Sequence, residues 1–558
     1  MSEQSERLFS ILSQIQDRHI DRVGRYMGKK HRPWRRWTAL AACLVLLLGL
    51  GLVLPRLGGS NGGSGSGSDG ASTFMSYAGP VMPLTLKEET SAITAQRAIT
   101  LDFAPWVPVW ESNEERLEGR TDLNEEQRQK VLEDYQEIYP EGGRYRYSSD
   151  ILVTDSYTLN NSTQEDQTVT LLYPFTGQLR DLGARQPVLT VEGQELETAL
   201  RVGAYAGSFE GVWSGALEGD EEGSVNLNYA ESWEDYRDIL ADGSYAANAL
   251  GEGPDVRDWK VIVYQFTDPY GPAADEEAGI PNPSIRVGFD LDYDKTTILG
   301  YGFHMGKYDQ ENGTMIQGFS IPEEGESRYG QPFYLLVVGE DIQNMTIEGY
   351  VTGGTDADTP VLEDCGVTVE RYESDLDTML RQLLTQSMEE QIRWEELVPG
   401  LDFEVYYRAF LEHLLAYGVL SPQGMERYGA GWIEEMTTDV QTVDRVCWLE
   451  AQVTVPASGS LTVVASMTKA GSFDYACAHT ENRGVYGYDF VTSLGSNLTC
   501  TQQTATLEDR GQITIVRQNF GFDLEQGVKT VELDSGIEHY YLEVKRLAGT
   551  LPQNGPEN

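Results

Sequence analysis

Residues 151–175 read ILVTDSYTLNNSTQEDQTVTLLYPF. Apolar and polar residues alternate at period two on either side of a polar centre, and Val, Ile, Thr and Tyr dominate, which predicts two half-buried antiparallel strands. The simplest connection is a hairpin, with one strand through Tyr157 and Leu159, a turn at Asn160–Asp166 and a return through Val169 and Leu171. That turn is longer than the tight two-residue type, so the register stays open.

On either side, ITLDF (99–103), WKVIVYQF (259–266) and SIRVGFDLDY (284–293) repeat the strand pattern. So do VCWLEAQVTVPASGSLTVVASM (446–467), with a second hairpin about Pro456–Gly459, and GQITIVRQNF, KTVELD and HYYLEVKR beyond it. Helical spacing marks 124–140 after a capping Asn124, and 232–240, where Ser232 and Asp235 form a relative of the capping box. Two consecutive helices follow in 376–397 and 402–420, with 421–436 a candidate third.

The charge is lopsided. The 558 residues carry a net −47; residues 1–56 hold ten basic against four acidic groups, which leaves −53 on 57–558. So acidic a surface repels phosphate backbones, so no nucleic-acid partner is expected. From Trp37 to Leu54 there are 18 uncharged residues, enough to cross a bilayer as a helix. Lys29, Lys30, Arg32, Arg35 and Arg36 precede them, and only Arg56 follows closely, which places the N-terminus in the cytoplasm and the remainder outside. Cys43 in LAAC opens the apolar run, whereas a lipobox closes one; the leader is also too long for a cleavable signal.

The expected organisation is therefore a cytoplasmic amphipathic helix and basic leader (1–36), a transmembrane helix (37–55) and a Gly/Ser linker (56–72). A first β-rich domain (73–370), a helical segment (371–440), a second β-rich domain (441–546) and a tail (547–558) follow. The fold class is mainly β with some α: an N-terminal single transmembrane helix, then an ectodomain of two β-sandwich-like units with a helical segment between them. The expected partners are the lipid bilayer through 37–55, a cytosolic regulatory protein through 4–27, and an extracellular ligand.

Motif by motif, the chain nominates no catalytic, cofactor-binding or metal residue. Asp290, Asp292 and Asp294 begin like a calcium loop, but Lys295 stands where the turn needs Gly and Tyr301 where a bidentate Glu belongs; alternate Asp on a strand face is the ordinary explanation. Ser466-Met-Thr-Lys469 matches S-x-x-K, yet it ends a β pattern and K-T-G is absent. GFHMGKY (302–308) has the wrong glycine spacing for a phosphate loop, and LPQNG (551–555) lacks the apolar tail of a sorting signal. Cys365, Cys447, Cys477 and Cys500 fit either buried free thiols or one bridge; Cys477, His479 and Cys500 lack the paired spacing of a zinc site.

Two stretches, IQDRHIDRVGRYM…KKHRPWRRWTALAACL at the front and YGYDFVTSLGSNLTC…IVRQNFGFDLEQGVKTVELDSGIEHYYLEV near the end, resemble bitopic, anti-sigma-factor-like membrane proteins of Gram-positive gut bacteria. The resemblance implies a non-enzymatic envelope regulator whose outer part senses and whose inner helix holds a cytosolic factor. It departs from one zinc-binding class of that group, because residues 1–36 contain no Cys. A surface binding or adhesion module is the second reading, and a cell-envelope hydrolase the third.

Overall fold

The computed structural model describes residues 76–118, 125–205, 209–210, 226–227, 232–241, 243–267, 274, 279–322, 328–352, 361–362, 366–393, 397, 400–416, 419–420, 432–442, 444–474 and 480–550. The chain divides into two compact units, 1–71 with 474–483, and 72–473 with 484–558. In the first, the described residues form a short 3-10 turn at Thr480–Asn482, and Asn482 donates to Asp474 at 2.7 Å. All that follows concerns the second.

Its longer strands, in chain order, are β1 (Ile93–Asp102), β2 (Ile151–Asn161), β3 (Gln167–Gly177), β4 (Val188–Val191), β5 (Lys260–Thr267), β6 (Ser284–Asp290), β7 (Thr296–Tyr301), β8 (Thr314–Ser320), β9 (Phe333–Gly339), β10 (Gln343–Tyr350), β11 (Thr368–Asp375), β12 (Arg445–Val455), β13 (Ser460–Lys469), β14 (Val485–Val491), β15 (Thr499–Glu508) and β16 (His539–Arg546). Its longer helices are α1 (Glu125–Ile138), α2 (Trp233–Ala241), α3 (Leu376–Arg393), α4 (Phe403–Ala416) and α5 (Ile433–Thr442).

The opening stretch forms both of its expected strands but not the hairpin. β2 pairs with β13 and β3 with β12, each antiparallel over ten or eleven residues. The chain crosses from one sheet to another at 162–166, and β12–β13 crosses at 456–459 in the same way, so two arches stack. Their tips are stitched: Ser458 N donates to Thr163 O at 2.8 Å, Ala457 N to the Asp166 carboxylate at 2.8 Å, and Asn161 Nδ2 to the carbonyls of Val455 and Pro456. Period-two alternation is the same in an arch and a hairpin, since both bury one face of each strand; only the partner distinguishes them.

This pairing corrects the fold class. The expected first and second β-sandwich-like units share sheets: a seven-stranded sheet runs Thr530–Glu532, β15, β1, β2, β13, β4, Gln194–Glu195, with β15 parallel to β1. A four-stranded sheet joins Ala199–Tyr205, β12, β3 and Thr85–Leu86, and another joins Pro80–Val81, β14, β16 and Ile513–Gln518. Inward residues of β1 and β2 divide between them. Ala95, Tyr157 and Leu159 pack with Leu171, Tyr173 and Leu449, while Ile99, Leu101 and Val153 pack with Phe490, Leu542 and Val544. Residues 260–375 add two further sheets, β7–β9–β5–β11 and one centred on β8–β6–β10, around Phe266, Ile285, Phe289 and Leu335. Helices α3 to α5 pack into the first core through Leu380, Leu384, Tyr406, Phe410 and Met436.

The membrane expectation is corrected too. Among the described residues no helix is long and apolar enough to cross a membrane. The longest, α3, has 18 residues and carries Asp377, Arg381, Glu389, Glu390 and Arg393. Residues 37–55, the leader 1–36 with its proposed docking helix 4–27, and the linker 56–72 all lie outside the described residues. The single-pass topology, the bilayer as partner and the cell-membrane localisation with an extracellular C-terminal part are thus without structural support.

Where the inward cores of β1 and β2 meet, two charges are buried. Arg97 Nε and Nη2 each donate to the Asp155 carboxylate at 2.8 Å, and both side chains are fully buried. The seam between the facing sheets leaves strand-end carbonyls inside, and Arg97 serves them, donating to Val491 O at 2.7 Å with its guanidinium 4.2 Å from the Phe490 ring. Asp155 also accepts from the hydroxyls of Tyr157 and Tyr173, so both charges are saturated.

Candidate functional site

Three turns enclose an open bay of about 530 Å³: 290–296 after β6, 309–314 before β8, and 339–344 between β9 and β10. Backbone bonds set them against each other, with Leu291 N donating to Gly313 O at 2.9 Å and Glu340 N to Lys295 O at 3.3 Å. Gly339 sits at φ +104°, and a Cβ there would lie 1.9 Å from Lys295 O, so the close approach needs glycine.

Four carboxylates line the bay: Asp290, Asp292, Glu340 and Asp341. Asp292 meets Lys295 Nζ at 2.8 Å, and the bonds from Lys295 and the Asp294 amide hold its carboxyl below the usual range. Lys295 also reaches Glu340 at 3.4 Å, and these two carboxylates raise its pKa. Arg371 grips Asp341 through Nε (3.0 Å) and Nη2 (2.7 Å), and Tyr264 donates to its other oxygen at 2.8 Å. Asp290 accepts from Asn344 at 2.6 Å. Four negative groups therefore face two positive ones, and the remainder is unbalanced. Among the described residues no group of three or more His, Cys, Asp or Glu side chains could hold a metal ion.

The sequence placed the alternating Asp of 290–294 on one strand face, and the structure corrects this: Asp290 ends β6, and Asp292 and Asp294 lie in a turn whose Asp292 O accepts from the amides of Lys295 and Thr296. Glu340 and Asp341 are invisible to local reading. They arrive only because Thr296 pairs with Gly339, a register that sequence spacing does not contain.

A second polar group lies where α5 begins. Glu434 Oε1 accepts from Gly302 N at 2.6 Å and from Arg328 Nη1 at 2.8 Å, and Arg328 lies 4.3 Å from the Tyr301 ring. Burial pushes the Glu434 carboxyl up to about 7, outweighing Arg328. Glu434 Oε2, Arg328 Nε and Glu390 Oε1 are buried without hydrogen-bond partners among the described residues.

The S-x-x-K motif is taken apart by strand geometry. Residues three apart on a strand face opposite ways, so Ser466 is exposed while Lys469 is buried, donating to Ala78 O and Thr176 Oγ1. Cys447 and Cys500 are free thiols, and burial raises the first to about 12; Cys365, Cys477 and His479 lie outside the described residues, as does 551–555. The GFHMGKY stretch turns into Met305–Asp309, an edge strand on β8.

Compared with known proteins, the chain matches no family model, no curated protein and no solved structure, so the resemblance to anti-sigma-factor-like membrane proteins, and the envelope regulator it implied, are withdrawn.

Proposed function

We propose that the chain binds an organic cation, a polyamine or the basic side chains of a peptide, in the acidic bay. The observation that supports this reading is the conjunction of volume and charge: about 530 Å³ of open space bordered by four carboxylates with, among the described residues, Lys295 and Arg371 as their paired counter-charges. The open space exceeds what one bare ion fills. The net charge of −47 draws cations toward the molecule and accelerates their encounter. The bay brings together carboxylates, amides and backbone, a set suited to accepting N–H donors.

Spermine titrated calorimetrically into the full chain tests this. Binding is expected at 50 mM salt and about ten-fold weaker at 300 mM, because screening shortens the range of the bay's field. Absence of heat at low salt, or affinity indifferent to salt, contradicts the proposal.

A further inference from the structure

The three central strands of the seven-stranded sheet turn away from the core a face of opposite character to the bay, while the flanking strands carry the exposed Glu195, Glu508 and Glu532. On β1, β2 and β13 every second residue points inward and is buried or nearly so, and the alternate five on each strand are exposed or half-buried. Those fifteen outward positions hold Thr, Ser, Gln, Asn, Ala, Val and Leu, with one ionisable residue, Asp102 at a rim. Even that charge is neutralised, since Arg510 grips Asp102 through two bonds at 2.8 and 2.7 Å. High β-propensity accounts for Thr in strands, but not for the missing charges: the exposed positions of β11 include Glu370 and Glu373.

Strand pairing arranges the hydroxyls in rows. Thr506, Thr100, Thr154 and Ser466 lie side by side across β15, β1, β2 and β13, and Gln96, Thr158 and Thr462 form a neighbouring row. Thr158 and Thr462 are 3.4 Å apart, hydroxyl to hydroxyl. Strand spacing of about 4.8 Å and a two-residue repeat of about 6.7 Å make the four strands a field of roughly 14 by 27 Å, with Glu508 beside Asp102 at one corner.

We infer that this open face docks an uncharged, hydroxyl-rich polymer, a neutral polysaccharide chain. Each Thr or Ser offers one donor and two acceptor lone pairs, as do sugar hydroxyls, and a regular array meets a regular repeat at many points, so weak contacts accumulate. Charge decides against the other occupants. A polyanion is repelled by the chain's −47, a cation finds its counter-charges in the bay, and a second copy brings another −47 with it.

The test is retention of the full chain on insoluble neutral glycans (cellulose, a β-1,3-glucan, chitin), with pectate as the anionic control. Retention on at least one neutral glycan, unchanged between 50 and 500 mM salt and absent on pectate, is expected. T154K/T462K keeps the fold because both side chains point outward. It weakens retention by about five-fold for each lost hydroxyl, about thirty-fold together, with thermal midpoint and spermine binding unchanged. No retention on any neutral glycan, retention that salt abolishes, or equal retention by the variant overturns the inference. So does a dimer in sedimentation velocity that the variant dissociates, which would assign the face to a second copy.

Discussion

Arg97–Asp155 and Arg328–Glu434 are both arginine–carboxylate pairs inside the same unit, and they differ in completeness. At the seam between the cores each atom of the first pair has a partner: the guanidinium is shared between Asp155 and backbone carbonyls, and Asp155 between Arg97 and two tyrosines. At the start of α5 the second pair leaves Glu434 Oε2 and Arg328 Nε without hydrogen-bond partners among the described residues, and a third of the Glu434 side chain reaches solvent. Two pairs of the same chemistry thus differ in how fully their polar atoms are met. Hydrogen bonds reach every polar atom of the Arg97–Asp155 pair, whereas at Glu434 burial outweighs Arg328 and raises the carboxyl to about 7.

Removing half of the saturated pair has the largest expected effect. Asp155→Ala leaves Arg97 charged, buried and short of its partner, at a cost of about 3–5 kcal/mol, read as a lowered midpoint in urea denaturation. A loss below about 1 kcal/mol would mean that water enters the seam and that the pair is not the keystone described.

Lys469 stands between the two cases, hydrogen-bonded to Ala78 O and Thr176 Oγ1 and pulled down to about 8 by burial. Its folded pKa lies below the unfolded 10.5, so the unfolded chain holds more protons between the two values, and stability rises with pH across that window. Lys469→Met is expected to flatten the rise in thermal midpoint between pH 8 and 9.5. An unchanged slope would place its source elsewhere.

Glu434 works in the other direction and more weakly, because a third of its side chain is solvated. Its folded pKa of about 7 exceeds the unfolded 4.5, so the folded chain holds more protons and stability is lost as pH rises through about 7. Glu434→Gln keeps an acceptor for Gly302 N and Arg328, and is expected to remove that decline between pH 5 and 8. If the variant's profile parallels the parent's, Glu434 is ionised throughout.

The smallest stability change is expected at the bay. D290N/E340Q removes exposed charges whose pairs contribute about 0–1 kcal/mol, so its thermal midpoint should stay within a degree or two of the parent's.

Much of this frame was legible in the sequence, though not its wiring. The alternation at 151–175 marks both strands, and Arg97 and Asp155 were detectable as charges in phase with the inward apolar residues: Arg97 with Ala95 and Ile99, Asp155 with Val153 and Tyr157. The reciprocal bonds between Ser232 and Asp235 likewise stand where a capping box reads. The arches were not legible, because a strand's burial pattern does not say which strand lies beside it, and β2 meets a partner some 300 residues away. The same limit hid the bay: Asp290 and Asp292 are near neighbours in sequence, but Glu340 and Asp341 join them only through the β7–β9 register. The uncharged face was written plainly in the outward Thr and Ser of three strands, yet only the pairing makes it one surface.

Whether the bay takes an organic cation is decided by titrating spermine into D290N/E340Q beside E525Q/E532Q, which removes as many charges from exposed positions elsewhere. The first variant is expected to lose about ten-fold or more in affinity, two carboxylate contacts at roughly 1 kcal/mol each or somewhat less, and the second to bind like the parent. Equal loss in both would show that spermine reads the net charge of the chain and not the bay.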